Sequence, residues 1–436
     1  MRVPRGFRDI LPTEARELHA MRRQLMASFA SYGYVPLDPP MVEFAESTAT
    51  LDERRMLRFL DRDGRLLALR PDITTAVARV VAQRYATTEH ALRLAYFNAV
   101  FREEPSMRGS EREYDQAGIE LIGAGGLRAD AEVIALLASS LAACGLAQAD
   151  LDVGHVGYLA GFLAELAPAA RERAADLARR GDLVAALELF PAARREALER
   201  GLRTRVAVGA GPAERGTQRV VGADAAPAER EARSPQGPGS AGWRDAFDAL
   251  RSGAPAASVA ALDELARLAP LLSAAGVPAV RFDLGFIPAL PYYSGVVFQA
   301  TAPGLGFAVA AGGRYDGLLA RFGADRPATG FGIAVPHLHQ ALIDAGWRAP
   351  ADAALVVLLP RTGARGASSA KDDAATLACA AALRARGIGV AIDEVADAAG
   401  QPLVRATAID STKVEYEGAV LTLEAFAARL RAAGKP

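Results

Sequence analysis

Two stretches of this 436-residue chain hold an unusual density of side chains able to do chemistry, residues 92–104 and 111–122. Both read as strands, joined by a polar loop from Pro105 to Ser110. Side chains alternate across a strand, so Tyr96, Asn98, Val100, Arg102 and Glu104 share one face. On the second strand Arg112, Tyr114, Gln116, Gly118 and Glu120 share one. A face with two Arg, two Glu, a Gln and an Asn cannot pack as an apolar core, because each buried polar group needs a partner. It either meets water at the edge of an antiparallel sheet or lines a polar pocket, and the two strands alone leave both readings open. Gly118, lacking a side chain, leaves room above the sheet for a ligand.

The flanking elements are legible from periodicity. Residues 13–32 have helical spacing, with Leu18, Met21, Leu25, Met26 and Phe29 on one side and Thr13 near the start. Tyr34 to Leu37 is a short extended segment running into Pro39-Pro40. Leu66 to Arg70 is a strand that Pro71 stops, and Ile73 to Tyr85 is an amphipathic helix. Ala129 to Ala143 is helical, and residues 159–202, rich in Ala, Leu, Arg and Glu, read as two or three helices. Residues 210–241 are rich in Gly, Pro, Ala and charge, and read as a mobile linker. Strands resume at Val280 to Leu284, Val296 to Ala300 and Phe307 to Ala310. The segment Gly312 to Gly317 reads as a turn that opens a helix. From about residue 350 a small α/β unit follows, with a strand at Ala354 to Leu359, a helix at Ala374 to Arg386 and a strand at Gly389 to Ile392. It looks truncated beyond that point.

Composition removes several classes. Lys plus Arg number 50 against 51 Asp plus Glu, so the chain lacks the basic excess that a phosphate backbone attracts. Two cysteines, Cys144 and Cys379, match no metal spacing and no disulfide framework, which points to a reducing cytoplasm. No residue set reads as a metal site, and no cofactor is expected. The N-terminal Met1 to Gly6 lacks the apolar core of a signal peptide. The longest mostly apolar run, Val133 to Leu146, is shorter than the roughly 20 residues of a membrane span and reads as a buried helix.

Six ordered segments resemble the histidyl branch of the class II aminoacyl-tRNA synthetases. The strand pair is similar to motif 2 at Phe101-Arg102-Glu103-Glu104 and at Arg112 through Glu120. Arg5 to Pro12 resembles the N-terminal segment of that family. Tyr32-Gly33-Tyr34 through Pro40-Met41-Val42-Glu43 resembles motif 1, the dimer-forming unit. Arg70-Pro71-Asp72-Ile73-Thr74 is similar to the loop that holds the amino acid's ammonium. Tyr292-Tyr293 and Ala311 to Gly317 resemble two segments peculiar to the histidyl branch, and Gly330 to Val335 stands where motif 3 belongs. The resemblance implies an α+β fold, with a class II antiparallel sheet flanked by helices over 1–150 and 275–345. A helical insertion would span 151–274, and 350–436 would be a small α/β unit left from an anticodon-binding domain. It further implies a histidine pocket. Asp72, Thr74 and Gln116 would lie near the ammonium, Glu120, Tyr292 and Tyr293 near the imidazole, and Arg102 over the carboxylate or ATP side. Glu104 and Arg112 would be a nucleotide-binding remnant.

Two departures from the synthetase pattern bear on function. The family's arginine before the paired tyrosines is absent from Phe286-Ile287-Pro288-Ala289-Leu290-Pro291. The Glu-Arg pair that ends motif 3 is Pro336-His337 here, with His337 read as a solvated or capping residue. Adenylation builds charge on ATP phosphates, and losing one fixed donor there costs on the order of a hundredfold or more in rate. A histidine-shaped pocket without activation cations is similar to the regulatory subunits that accompany short-form ATP phosphoribosyltransferase, the entry step of histidine biosynthesis. That resemblance implies a cytoplasmic, non-catalytic chain with no catalytic residues of its own. Its partners would be the short catalytic subunit and L-histidine as feedback effector, within a hetero-oligomer built on homodimers, with no tRNA and no membrane. An active histidyl-tRNA synthetase, or a synthetase paralogue acting on another substrate, is the alternative that Arg102, Glu104 and Arg112 keep open.

Overall fold

The computed structural model describes residues 3–48, 55–103, 111–209, 242–288, 290–349, 355–361, 369–392 and 403–432. Within these, the apolar stripe Leu18, Met21, Leu25 and Phe29 becomes the buried side of helix α1 (Pro12–Ser31). Strands β1 (Val35–Pro36), β2 (Val42–Phe44), β3 (Arg58–Leu60) and β4 (Leu66–Leu69) lead to helix α2 (Thr74–Arg84). The expected strand pair is β5 (Leu92–Phe101) and β6 (Glu113–Ile122), followed by helix α3 (Leu127–Ala143). Strand β7 (Asp150–His155) comes next, then helices α4 (Val156–Ala164), α5 (Pro168–Arg179), α6 (Leu183–Glu188) and α7 (Ala192–Leu202). Strand β8 (Arg205–Gly209), helices α8 (Gly242–Arg251) and α9 (Ala256–Ala274), and strands β9 (Ala279–Asp283), β10 (Val296–Thr301), β11 (Ala308–Arg314) and β12 (Ala328–Ala334) complete the sheet, and helix α10 (Val335–Asp344) follows.

The large sheet runs β1-β5-β6-β12-β11-β10-β7-β9-β8. Its six central strands, β5 to β7 in that order, are antiparallel, and β1–β5 and β7–β9 are parallel pairs. A three-stranded sheet, β2-β4-β3, stands apart from it. The buried Arg70 ties the loop after β4 to both motif-like segments. Its Nε donates to the Ala99 carbonyl at 2.8 Å and its guanidinium to the Pro39 carbonyl at 2.6 Å.

Four expectations need correction. The 159–202 stretch folds as four helices counted from α4, because Pro168 and Pro191 each start a new helix after a break. The 151–274 segment is not purely helical, since β7 and β8 are strands of the main sheet. Gly312 and Gly313 are not a turn; they lie inside β11, and the turn follows Arg314. A side chain at Gly312 would meet the Phe298 ring at 2.6 Å and the Gly330 carbonyl at 2.3 Å, so the glycine serves close strand packing. Residues 210–241, read as a linker, and the loop at 105–110 lie outside the described residues.

The fourth correction concerns the C-terminal unit, which does not stop at Ile392. Strand β13 (Leu355–Leu359), helix α11 (Ala370–Arg384) and strand β14 (Val390–Ile392) are joined by β15 (Leu403–Asp410), β16 (Lys413–Tyr416), β17 (Ala419–Thr422) and helix α12 (Leu423–Ala432). The order is β14-β13-β15-β16-β17, over a core that includes Leu358, Leu383, Val414 and Phe426. The chain divides into two compact units, Met1–Asp9 with Met21–Trp347, and Ile10–Ala20 with Arg348–Pro436. No helix among the described residues is long and apolar enough to cross a membrane.

Candidate functional site

In an antiparallel sheet, directly paired residues present their side chains on one face. The register therefore lays out a continuous row: Tyr96, Gly118, Gly332, Ala311, Gln299, Asp152, Arg281. One row over stand Leu94, Glu120, Gly330, Gly313 and Val297. The middle strands β11 and β12 thus carry only Gly or Ala between polar residues on either side. Ala311 is exposed although it lies mid-sheet, so the surface above it is open. It is a hollow floored by small residues, with Gln116 and Glu120 to one side and Gln299, Asp152 and Arg281 to the other.

The Glu120 side is closed and polar. Glu120 is 1% exposed. Tyr315 donates its hydroxyl to Glu120 Oε2, Tyr96 approaches Oε1 at 3.4 Å, and Thr74 adds a third hydroxyl. Burial pushes the Glu120 carboxyl up to about 8, with the neighbouring Asp72 charge adding to it and the hydroxyls opposing it. The carboxylate fits only because position 330 is glycine: a Cβ there would come within 2.1 Å of Glu120 Oε2. Tyr292 and Tyr293 stack obliquely at 4.8 Å between centroids, and Tyr292 meets the Tyr315 ring edge-on at 5.7 Å. Burial raises all four tyrosine hydroxyls, so each remains a donor at neutral pH. Ile73, Val77, Leu94, Leu318 and Leu319 form the apolar bed beneath this group.

The sequence-expected residues divide by place. Thr74, Glu120, Tyr292 and Tyr293 are brought together. Asp72 lies beside them, but its carboxylate caps α2: Oδ1 accepts the Thr75 amide at 2.7 Å and Oδ2 the Thr75 hydroxyl at 3.1 Å. Arg102 donates Nε to the Pro71 carbonyl at 2.8 Å, and its charge reaches Asp72 and Tyr293. Gln116 faces the hollow with its Oε1 buried and unbonded, and its amide nitrogen covers Gly332. The expected room above Gly118 is taken. A side chain there would meet the Tyr96 hydroxyl at 2.5 Å and the Phe331 carbonyl at 2.2 Å, so Gly118 admits tyrosine, not a ligand. Arg112 stands apart, paired with Glu103 and packed under Gly6, while Arg8 pairs with Glu111 at 2.7 Å. Glu104 lies outside the described residues.

The motif 3 end carries no free cation at His337. His337 donates Nδ1–H to the Ala308 carbonyl at 2.8 Å, and its ring lies 4.0 Å from the Phe307 ring. Burial lowers its pKa, which keeps it neutral. It is a packing residue, not the solvated or capping one expected, because Phe307, just before β11, lies against its ring.

These features have counterparts in known proteins. A family model described as histidyl-tRNA synthetase matches residues 6–338. The ATP phosphoribosyltransferase regulatory subunit of Moorella thermoacetica is 36% identical over 417 residues, covering 94% of this chain and 96% of that protein. The chain belongs to the family of ATP phosphoribosyltransferase regulatory subunits. Its relative of that name from Symbiobacterium thermophilum is 37% identical over 397 residues, 90% of each protein. The crystal structure of an ATP phosphoribosyltransferase regulatory subunit/histidyl-tRNA synthetase from Bacillus halodurans superposes with a TM-score of 0.73 at 26% identity, over 93% of this chain and 98% of that one. A histidyl-tRNA synthetase from Nostoc shares the fold, with a TM-score of 0.71 at 18% identity over 99% of each chain. Within this regulatory-subunit family member, sequence reasoning assigned no role to Tyr96 and Tyr315, which hold Glu120, nor to Gln299, Asp152 and Arg281. Tyr96 was findable, since alternation sets it on the polar face. Tyr315 was hidden because its motif read as a turn.

Proposed function

We propose that this chain is the regulatory subunit of ATP phosphoribosyltransferase. In this reading it binds free L-histidine over Glu120, joins a short catalytic subunit and does not aminoacylate tRNA. One contrast supports the reading: Thr74, Tyr96 and Tyr315 gather on Glu120, while the segments matching the activation end carry no cation at 288 or 337. The protonated Glu120 carboxyl can donate to an unprotonated ring nitrogen, and the unbonded Gln116 Oε1 can accept an ammonium. By contrast Pro288 and a neutral, stacked His337 stand where phosphate-binding cations would be needed. The names of the relatives support the catalytic partner, and Arg102 beside Asp72 and Tyr293 supports a carboxylate at the third corner of the ligand.

The test mixes the purified chain with the short phosphoribosyltransferase of the same organism. Condensation of ATP with phosphoribosyl pyrophosphate is expected to rise on mixing and to fall when histidine is added. Feedback requires histidine to favour one state of the complex, and a coupling of roughly 1–3 kcal/mol gives about 5- to 150-fold control. The chain alone is expected to give no histidine-dependent pyrophosphate–ATP exchange. A catalytic subunit equally active and histidine-sensitive with or without this chain would overturn the assignment. Exchange on the order of 1 per second or faster would restore the synthetase reading.

A further inference from the structure

Among the described residues, Glu120 is a buried carboxyl group without a cationic partner. The groups acting on it are the hydroxyls of Thr74, Tyr96 and Tyr315 and the charge of Asp72, and none is basic. Tyr292 and Tyr293 face it from the loop before β10, each feeling its charge, and Tyr34 feels it more remotely. Arg102 acts on Asp72 and Tyr293 instead. A carboxyl group this buried, beside a second carboxyl group, holds its proton. Three hydroxyls converge on it and hold its orientation, leaving its own O–H to be donated to a base.

Resting on the histidine reading above, we infer that the pocket selects its ligand by ring basicity, with the Glu120 O–H donating a hydrogen bond to the unprotonated ring nitrogen. Glu120 is the weaker acid of the two, so the proton stays on its oxygen and no covalent bond breaks. The carboxyl and the ring share one proton between them, and between the two pKa values none is exchanged with solvent. Such a site rejects side chains that are isosteric with imidazole but not basic.

The pH dependence follows. Free histidine has a ring pKa of about 6.5, and Glu120 sits at about 8. Below the first value the ligand arrives already protonated, and binding must expel a proton. Above the second, Glu120 has lost its proton and binding must take one up. Affinity is therefore expected to be highest between about 6.5 and 8, falling about tenfold per pH unit on either side. The measurement is calorimetric titration of the full chain with L-histidine from pH 5.5 to 9.5. A second series uses 1,2,4-triazolylalanine, which keeps a ring N–H but is far less basic. Its affinity at pH 7 is expected to be at least tenfold weaker. In Glu120→Gln, which has no proton to lose, the fall above pH 8 should become shallower, leaving only the part due to the ligand's own ammonium. Affinity flat across the range, or triazolylalanine binding as tightly as histidine, overturns the inference while leaving histidine binding intact. No histidine binding at any pH overturns the pocket reading itself, and with it the inference.

Discussion

A carboxyl group that is 1% exposed persists in a fold only if it is neutral, ion-paired or bonded by several donors. Glu120 is the first, and this has a consequence for stability separate from any ligand. Its ordinary value is 4.5 and its folded value about 8, so between these the folded chain holds a proton that the unfolded chain has released. Stability then falls as pH rises through this window. The contribution is fully present below pH 4.5 and lost by about pH 8. Glu120→Gln has no proton to lose, and its amide can bond the same hydroxyls. Without histidine, the stability of the variant relative to the parent is expected to improve from pH 5 to pH 8.5, by on the order of a few kcal/mol. Urea unfolding at several pH values measures it. A difference that stays constant with pH would mean that Glu120 is not the buried neutral group.

At the scale of elements, the hydroxyl that holds Glu120 depends on a clamp one residue away. Arg314, at the end of β11, binds Asp130 of α3 through two hydrogen bonds, 2.7 Å from Nη2 and 3.1 Å from Nε, and reaches the Gly126 carbonyl at 3.0 Å. Their side chains are 9% and 1% exposed. Removing Asp130 leaves the buried Arg314 with the more exposed Asp316 at 3.1 Å as its remaining carboxylate, so Asp130→Ala is expected to cost about 1–3 kcal/mol. It should also weaken histidine binding, because Tyr315 follows Arg314 directly. Denaturant unfolding and calorimetry on one sample read both effects, and a loss under about 1 kcal/mol would sink the clamp. This clamp also marks where the sequence is legible and where it is not. Alternation alone placed Asn98 and Gln116 on the polar faces of their strands, since strand period is a local property, and the observed register sets them opposite each other. Gly312-Gly313 read as a turn because their reasons for being glycine, the Phe298 ring and the β12 backbone for Gly312 and the Val296 carbonyl of β10 for Gly313, lie elsewhere in the sequence. The hairpin of β16 and β17 was missed although its signal is local. Glu417 and Gly418 both have positive φ, 49° and 74°, the two-residue turn that matches strand twist.

At the scale of the whole molecule, a synthetase fold has been kept while its charges have changed. Relatives of the regulatory type match this chain over 94% and 90% of its length, so the comparison covers the C-terminal region as well as the sheet. Recognition of tRNA draws much of its affinity from cations that displace counterions along the phosphates. The segment 350–436 has ten Lys or Arg against ten Asp or Glu, a net charge of zero. Some of those cations are already used within the unit: Arg429 pairs with Glu417 at 2.6 Å, and Arg384 donates to the Val390 carbonyl at 2.8 Å. The balance of −1 over the whole chain offers no compensating field. Binding of histidine tRNA is therefore expected to be weak and non-specific, with Kd no tighter than roughly 10⁻⁴–10⁻⁶ M at physiological salt and no preference over other tRNAs. Filter binding across a salt series would measure it, beside an active histidyl-tRNA synthetase as the positive control. Saturable binding at nanomolar concentration that prefers histidine tRNA would mean that the C-terminal sheet still reads RNA through a local patch, and that the neutral sum conceals it.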